Sequence, residues 1–106
     1  MRINHRPVTP KTPKAERNFA HMAKVKNMDC IIYNGECYGE TEVHHCFTGS
    51  GGRKNDSKVL PLCFNHHRHV DGIHSIGRKK WQEKYGSEAE LLQKTQQLMI
   101  MQENIF

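Results

Sequence analysis

The sequence predicts an α+β fold: a small zinc-stapled β-hairpin and helix wrapped by flanking helices. Three observations lead there. The chain has 106 residues, is only 36% hydrophobic and holds a single Trp, so its core is small enough to need a staple. Two short strand patterns, at residues 41–46 and 58–62, flank a polar glycine-rich loop. The second strand runs into Cys63-x2-His66, a pair of ligands one helical turn apart that suits a single Zn²⁺.

The elements follow in order. Residues 1–14 read as a basic, Pro-spaced flexible arm, and residues 15–106 as one domain. Residues 15–28 suit a short helix with Phe19, Met22, Ala23 and Met28 on one face. Residues 29–40 form a loop or knuckle that carries Cys30 and Cys37 and turns at Asn34-Gly35. Residues 41–46 read as a strand and 47–56 as a loop rich in Gly, Ser, Asn and Asp. Residues 58–62 read as a second strand, with Pro61 where no ladder hydrogen bond is donated. Cys63 then opens a helix or turn that reaches about Val70. Residues 76–85 suit another helix with Trp81 and Tyr85 on one face and Gly86 as its C-cap. Ser87-Glu88-Ala89-Glu90 is a capping box, opening a final helix with Leu91, Leu92, Leu98 and Met99 inward. Its apolar pattern blurs from Met99 to Ile105.

The charge is unevenly placed. Residues 1–26 hold seven Lys or Arg against Glu16 alone, whereas residues 27–106 hold nine basic and ten acidic side chains. The net +5 therefore comes from the front, and a basic arm of this kind seeks phosphate. No run of about 18 apolar residues exists to span a membrane. Pro7, Pro10 and Pro13 interrupt any signal-peptide core. A cytosolic location is expected, where cysteines serve as metal ligands rather than disulfides.

Cys30 and Cys37 complete a Cys₃His set with Cys63 and His66. The gap between the first two is wider than usual, and the Asn34-Gly35 turn is expected to fold it back. Cys46 follows His45 on the strand, points to the other face and is expected to pack as a small apolar group. A second histidine set is left over. His44 and His45 are strand neighbours facing opposite sides, which suggests a split of roles: one binds metal, the other works on water. His67 turns about 100° from His66 on a helix, so it can share a second ion with His44. The third ligand stays open between Asp71, at i+4 from His67, and His74, with Gly72 free to turn the chain. His69 is expected at the surface.

Glu42-Val43-His44-His45, the glycine-rich loop and Leu60-Pro61-Leu62-Cys63-x2-His66-His67 together resemble the HNH, or ββα-metal, endonucleases. The stretch from Thr41 to Tyr85, with Ile73-His74-Ser75-Ile76-Gly77-Arg78 and Trp81-x3-Tyr85-Gly86, looks like the phage Ref-like, RecA-dependent nucleases. The resemblance implies an HNH nuclease domain over residues 15–106. It implies His44 as first metal ligand, His45 as general base, His67 as the closing ligand and His74 as a further helix-borne ligand. The central Asn of the family has no clear equivalent. Its place falls near Ser57 or Lys58, so the brace of the base is unidentified, with a backbone carbonyl as one substitute. The expected activity is metal-dependent DNA hydrolysis in phage or prophage recombination, in the bacterial host cytoplasm, with RecA as partner. The expected cofactors are a structural Zn²⁺ and a catalytic Mg²⁺ or Mn²⁺. Arg53, Lys54, Lys58, Arg68, Arg78, Lys79 and Lys80 are candidate phosphate contacts, which position rather than specify. Two other classes compete: a non-catalytic zinc-containing DNA-binding module, and an adaptor on a recombinase filament.

Overall fold

A computed structural model describes residues 17–46 and 55–103. The arm at residues 1–14, most of the glycine-rich loop with Arg53 and Lys54, and residues 104–106 lie outside the described residues. The described elements are α1 (Phe19–Lys26), β1 (Thr41–His45), β2 (Val59–Cys63), α2 (Phe64–Arg68), α3 (Ile73–Ile76), α4 (Arg78–Tyr85) and α5 (Glu88–Glu103). None of these helices is long and apolar enough to cross a membrane.

The two strands pair antiparallel with Thr41 opposite Cys63, His44 opposite Leu60 and His45 opposite Val59. β2 is buried along its whole length, as its apolar sequence Val-Leu-Pro-Leu-Cys requires. β1 buries only His44. The Pro61 carbonyl accepts from the Ile31 N–H at 2.8 Å, so the cysteine knuckle covers the outer edge of β2 without needing a donor from proline.

Side chains alternate across the hairpin and split the interior in two. Leu60, Leu62, Cys63, Ile73, Trp81 and Leu91 join Cys30 and Ile31 in the larger cluster. Val59 packs with Val25 and Met28 in a smaller one, with Met22, Val43 and Met99 at its margin.

Helix boundaries depart from the sequence expectation at α1 and over residues 76–85. α1 begins later than residue 15, because the Asn18 side chain caps it by accepting from the His21 N–H at 3.1 Å. Its buried residue is therefore Val25, while Phe19 is 67% exposed beneath the Arg17 guanidinium and Ala23 is also exposed. The helix expected over 76–85 is two, broken at Gly77, whose φ of +96° favours glycine. In α5 the capping box forms as read: Ser87 Oγ accepts from the Glu90 N–H and Glu90 Oε1 from the Ser87 N–H. The inward positions are Glu88, Leu91 and Thr95, with Leu92 and Met99 half-buried, whereas Leu98 is exposed. Thr95 fits because its hydroxyl donates back to the Leu91 carbonyl at 2.9 Å.

Candidate metal centre and active site

The knuckle and the β2–α2 junction converge on one point. Asn34 makes the turn read from Asn34-Gly35. Its side-chain oxygen accepts from the Glu36 N–H at 2.9 Å and its carbonyl from the Cys37 N–H at 3.1 Å. Asn65 Nδ2 then donates to the Glu36 carbonyl at 2.7 Å, docking the knuckle on α2. Cys30, Cys37, Cys63 and His66 thereby meet, with all ligand atoms within 4.8 Å of one another.

The donor set fits zinc. Tetrahedral Zn–S and Zn–N bonds put sulfur and nitrogen about 3.6 Å apart. His66 Nδ1 lies 3.7 Å from both Cys30 Sγ and Cys37 Sγ, and 3.0 Å from Cys63 Sγ. Desolvation and the neighbouring Cys30 and Cys63 push the Cys37 thiol up to about 11. At Cys63 burial opposes ionisation, but hydrogen bonds from the His66 and Tyr38 backbone outweigh it and lower the pKa. Burial holds the Cys37 thiol and the His66 imidazole toward their neutral forms, a cost that a bound cation would offset. The far nitrogen of His66, Nε2, is buried without a hydrogen bond, with Asp71 Oδ2 at 3.6 Å. Asp71 is fixed there by Lys84 Nζ at 2.7 Å and by the Tyr85 hydroxyl. This set can hold a metal such as zinc. Cys46 stays out of it: burial pushes its thiol up to about 12, in keeping with a packing role.

One residue along α2, the chain begins a second cluster. His44, His67 and His74 bring their ligand atoms within 4.8 Å of one another. Gly72 makes this possible. A Cβ there would sit 2.5 Å from the Arg68 nitrogen, so only glycine lets α3 fold back against α2. The geometry places His74, not Asp71, beside His44 and His67. α2 ends at Arg68, so the i+4 relation that would have aligned Asp71 with His67 is never formed, and Asp71 serves the His66 side instead.

Two of the three imidazoles rest on carboxylates through one ring nitrogen. His44 Nε2 lies 2.7 Å from Glu88 Oε2, and His67 Nδ1 lies 2.8 Å from Glu42 Oε1. Glu42 also takes Arg68 in a two-pronged pair at 2.9 and 2.8 Å. Arg68 first, then His67, hold the Glu42 carboxyl down at about 2, against the cost of its burial. An ionised Glu42 only accepts, so His67 Nδ1 carries the proton and Nε2 offers a lone pair. Burial lowers the pKa of His67 and His74; the nearby His44 adds to it at His67, and His67 adds to it at His74. Neutral imidazoles backed by carboxylates form the usual outer support of a metal site. His44 is buried and His74 exposed, so the cluster is closed at one side and open at the other.

His45 turns to the opposite face of β1, as strand alternation requires, and meets Asp56. Its Nε2 lies 2.8 Å from Asp56 Oδ1. Asp56 is fully buried, and its Oδ2 accepts from the Asn18 N–H at 2.7 Å and faces Arg17 Nε at 3.2 Å. The His45 bond first, then the Asn18 N–H, lowers the pKa of this carboxyl. The sequence pattern points to Ser57 or Lys58 for the brace of His45, whereas the residue that meets His45 is the neighbouring Asp56. Asn55 takes the turn-forming role, its side chain accepting from the Ser57 N–H at 2.8 Å, which leaves Asp56 to point inward.

The basic residues divide. Lys58, Lys79 and Lys80 are exposed. Arg68 and Arg78 are committed to Glu42 and Glu88, the carboxylates behind the histidine cluster.

No curated protein and no solved structure matches the chain. A family model described as "recombination enhancement, RecA-dependent nuclease" matches residues 12–100. That span takes in the hairpin, both clusters and the His45–Asp56 pair, and the chain belongs to the recombination enhancement, RecA-dependent nuclease family.

Proposed function

We propose that the chain is a metal-dependent DNA endonuclease of HNH type, acting in recombination with a RecA filament. The observation that carries this reading is the cluster of His44, His67 and His74 with carboxylates behind two of its members, built on a hairpin and helix and adjoining His45. A divalent ion held by those three histidines, Mg²⁺ or Mn²⁺, would supply positive charge against the phosphate and the leaving oxygen. Histidine-lined sites also accept Ni²⁺ or Zn²⁺.

The rest is the work of this chain's own groups. With Nε2–H donated to the ionised Asp56, neutral His45 keeps a bare Nδ1. That nitrogen takes a proton from water as the water oxygen bonds to phosphorus and the opposite P–O bond breaks. Lys58, Lys79 and Lys80, with Arg53 and Lys54 in the loop, hold the backbone by charge. Cys30, Cys37, Cys63 and His66 hold a structural zinc and fix α2.

Nicking of plasmid DNA with added Mg²⁺ tests the reading. His45→Ala should lose about 10²–10⁴-fold in rate while keeping fold, zinc and DNA affinity. His44→Ala should also lose activity, but excess Mn²⁺ should restore part of it. Cleavage at the normal rate by His45→Ala, or metal rescue of His45→Ala and not of His44→Ala, would refute these roles. An inactive but DNA-binding wild-type protein would favour the zinc-containing binding module.

A further inference from the structure

Asp56 carries more than one contact, and its partners come from distant parts of the chain. Oδ1 meets His45 on β1, while Oδ2 meets Arg17 and Asn18 at the start of α1. Asn18 also caps α1 with its side chain, so the same residue sets the helix and grips the carboxylate. A carboxylate has one free rotor. Two donors on Oδ2 fix that rotor, and the fixed rotor aims Oδ1 at His45.

We propose that Asp56 is a positioning residue that ties Arg17 and Asn18, at the start of α1, to the candidate base, so that the docking of α1 controls turnover. This rests on reading His45 as the base. Arg17 and Asn18 meet the far oxygen of a buried carboxylate that holds the candidate base. Misplacing a catalytic group by about 1 Å costs as much as 10²-fold in rate, so loosening the rotor should lower kcat while leaving DNA binding intact.

Steady-state cleavage of a defined oligonucleotide duplex by the full chain tests this, with Asp56→Asn and Arg17→Gln as variants. Asp56→Asn should lower kcat about 10–100-fold and leave KM within about twofold. The ¹⁵N spectrum of histidine-labelled protein should show wild-type His45 protonated at Nε2 and that preference weakened in Asp56→Asn, which a merely structural role would not produce. Arg17→Gln, whose side chain is half exposed, should lower kcat a few-fold and add little to KM. Folded Asp56→Asn with unchanged kcat, while His45→Ala is inactive, would overturn the proposal and leave the base assignment standing. If instead His45→Ala cuts normally, the reading of the base has failed. Should Asp56→Asn not fold, Arg17→Gln decides: a change confined to KM would show Arg17 acting through charge alone and would overturn the proposal.

Discussion

Changing Cys63 to Ser should unfold the domain, and the structure says why so small a change is enough. Among the described residues, the larger core cluster has eight buried members, and two of them, Cys30 and Cys63, are themselves candidate ligands. The smaller cluster has only three. Structural zinc contributes about 10–16 kcal/mol in zinc-finger peptides near neutral pH. The net stability of a whole domain is about 5–15 kcal/mol. The fraction lost with one ligand of four need only reach the lower of those figures. Other effects of the substitution are small. Cys63 caps α2 by accepting from the His66 N–H at 3.5 Å, and Ser is a good N-cap. Cys46→Ser is the control, since its thiol lies half-buried outside the cluster and should cost about 1 kcal/mol. Metal content and thermal melts, with and without chelator, measure both. Wild type should hold about one zinc per chain and lose its cooperative melt on chelation. A metal-free wild type that melts normally, or a Cys46→Ser as damaging as Cys63→Ser, would refute the reasoning.

Glu88→Gln should weaken catalytic-metal affinity about 10–100-fold, the usual cost of losing an outer carboxylate, read as a shift in the Mn²⁺ midpoint of cleavage; an unmoved midpoint would remove Glu88 from the site. Deleting residues 1–14 removes Arg2, Arg6, Lys11 and Lys14. The log–log salt dependence of duplex binding should then flatten by roughly three to four units, and an unchanged slope would show that the arm does not touch phosphate. Asp56 has a lowered carboxyl pKa when folded, so the stability it contributes is present above its ordinary value of 3.8 and lost as pH falls through the folded value. Asp56→Asn should therefore melt below wild type at pH 7, and the two curves should converge in acid; a gap independent of pH would mean that charge plays no part.

Much of this was legible in the sequence because ligand spacing is a local signal. Cys63-x2-His66 becomes the end of β2 and the first turn of α2, where the helix itself brings the two side chains together. The capping box at Ser87 was legible for the same reason, since both partners lie within four residues. What was not legible is tertiary. Glu42 and Glu88 read as ordinary charges until the fold sets them behind His67 and His44. The choice between Asp71 and His74 depended on where α2 stops and on how closely Gly72 approaches the Arg68 backbone. Asp56 was hidden because two of its three partners, Arg17 and Asn18, reach it only through the docking of α1, with Asn18 38 residues away in the chain.

The consecutive pair His66-His67 shows how one short helix can serve both clusters. Successive helical positions differ by about 100°. His66 therefore turns into the cysteine set while His67 turns toward His44 and His74. The five residues of α2 could not hold that orientation alone, since isolated helices shorter than about 12 residues are marginal in water. The knuckle grips α2 through Asn65 and the Cys30, Cys37, Cys63 and His66 set on one side, and Glu42 grips His67 and Arg68 on the other. Losing a metal from the Cys30, Cys37, Cys63 and His66 set would thus release the helix that also carries His67 toward His44 and His74. On the proposed reading, stability and catalysis would be coupled through one turn of backbone, because two adjacent histidines cannot face the same way.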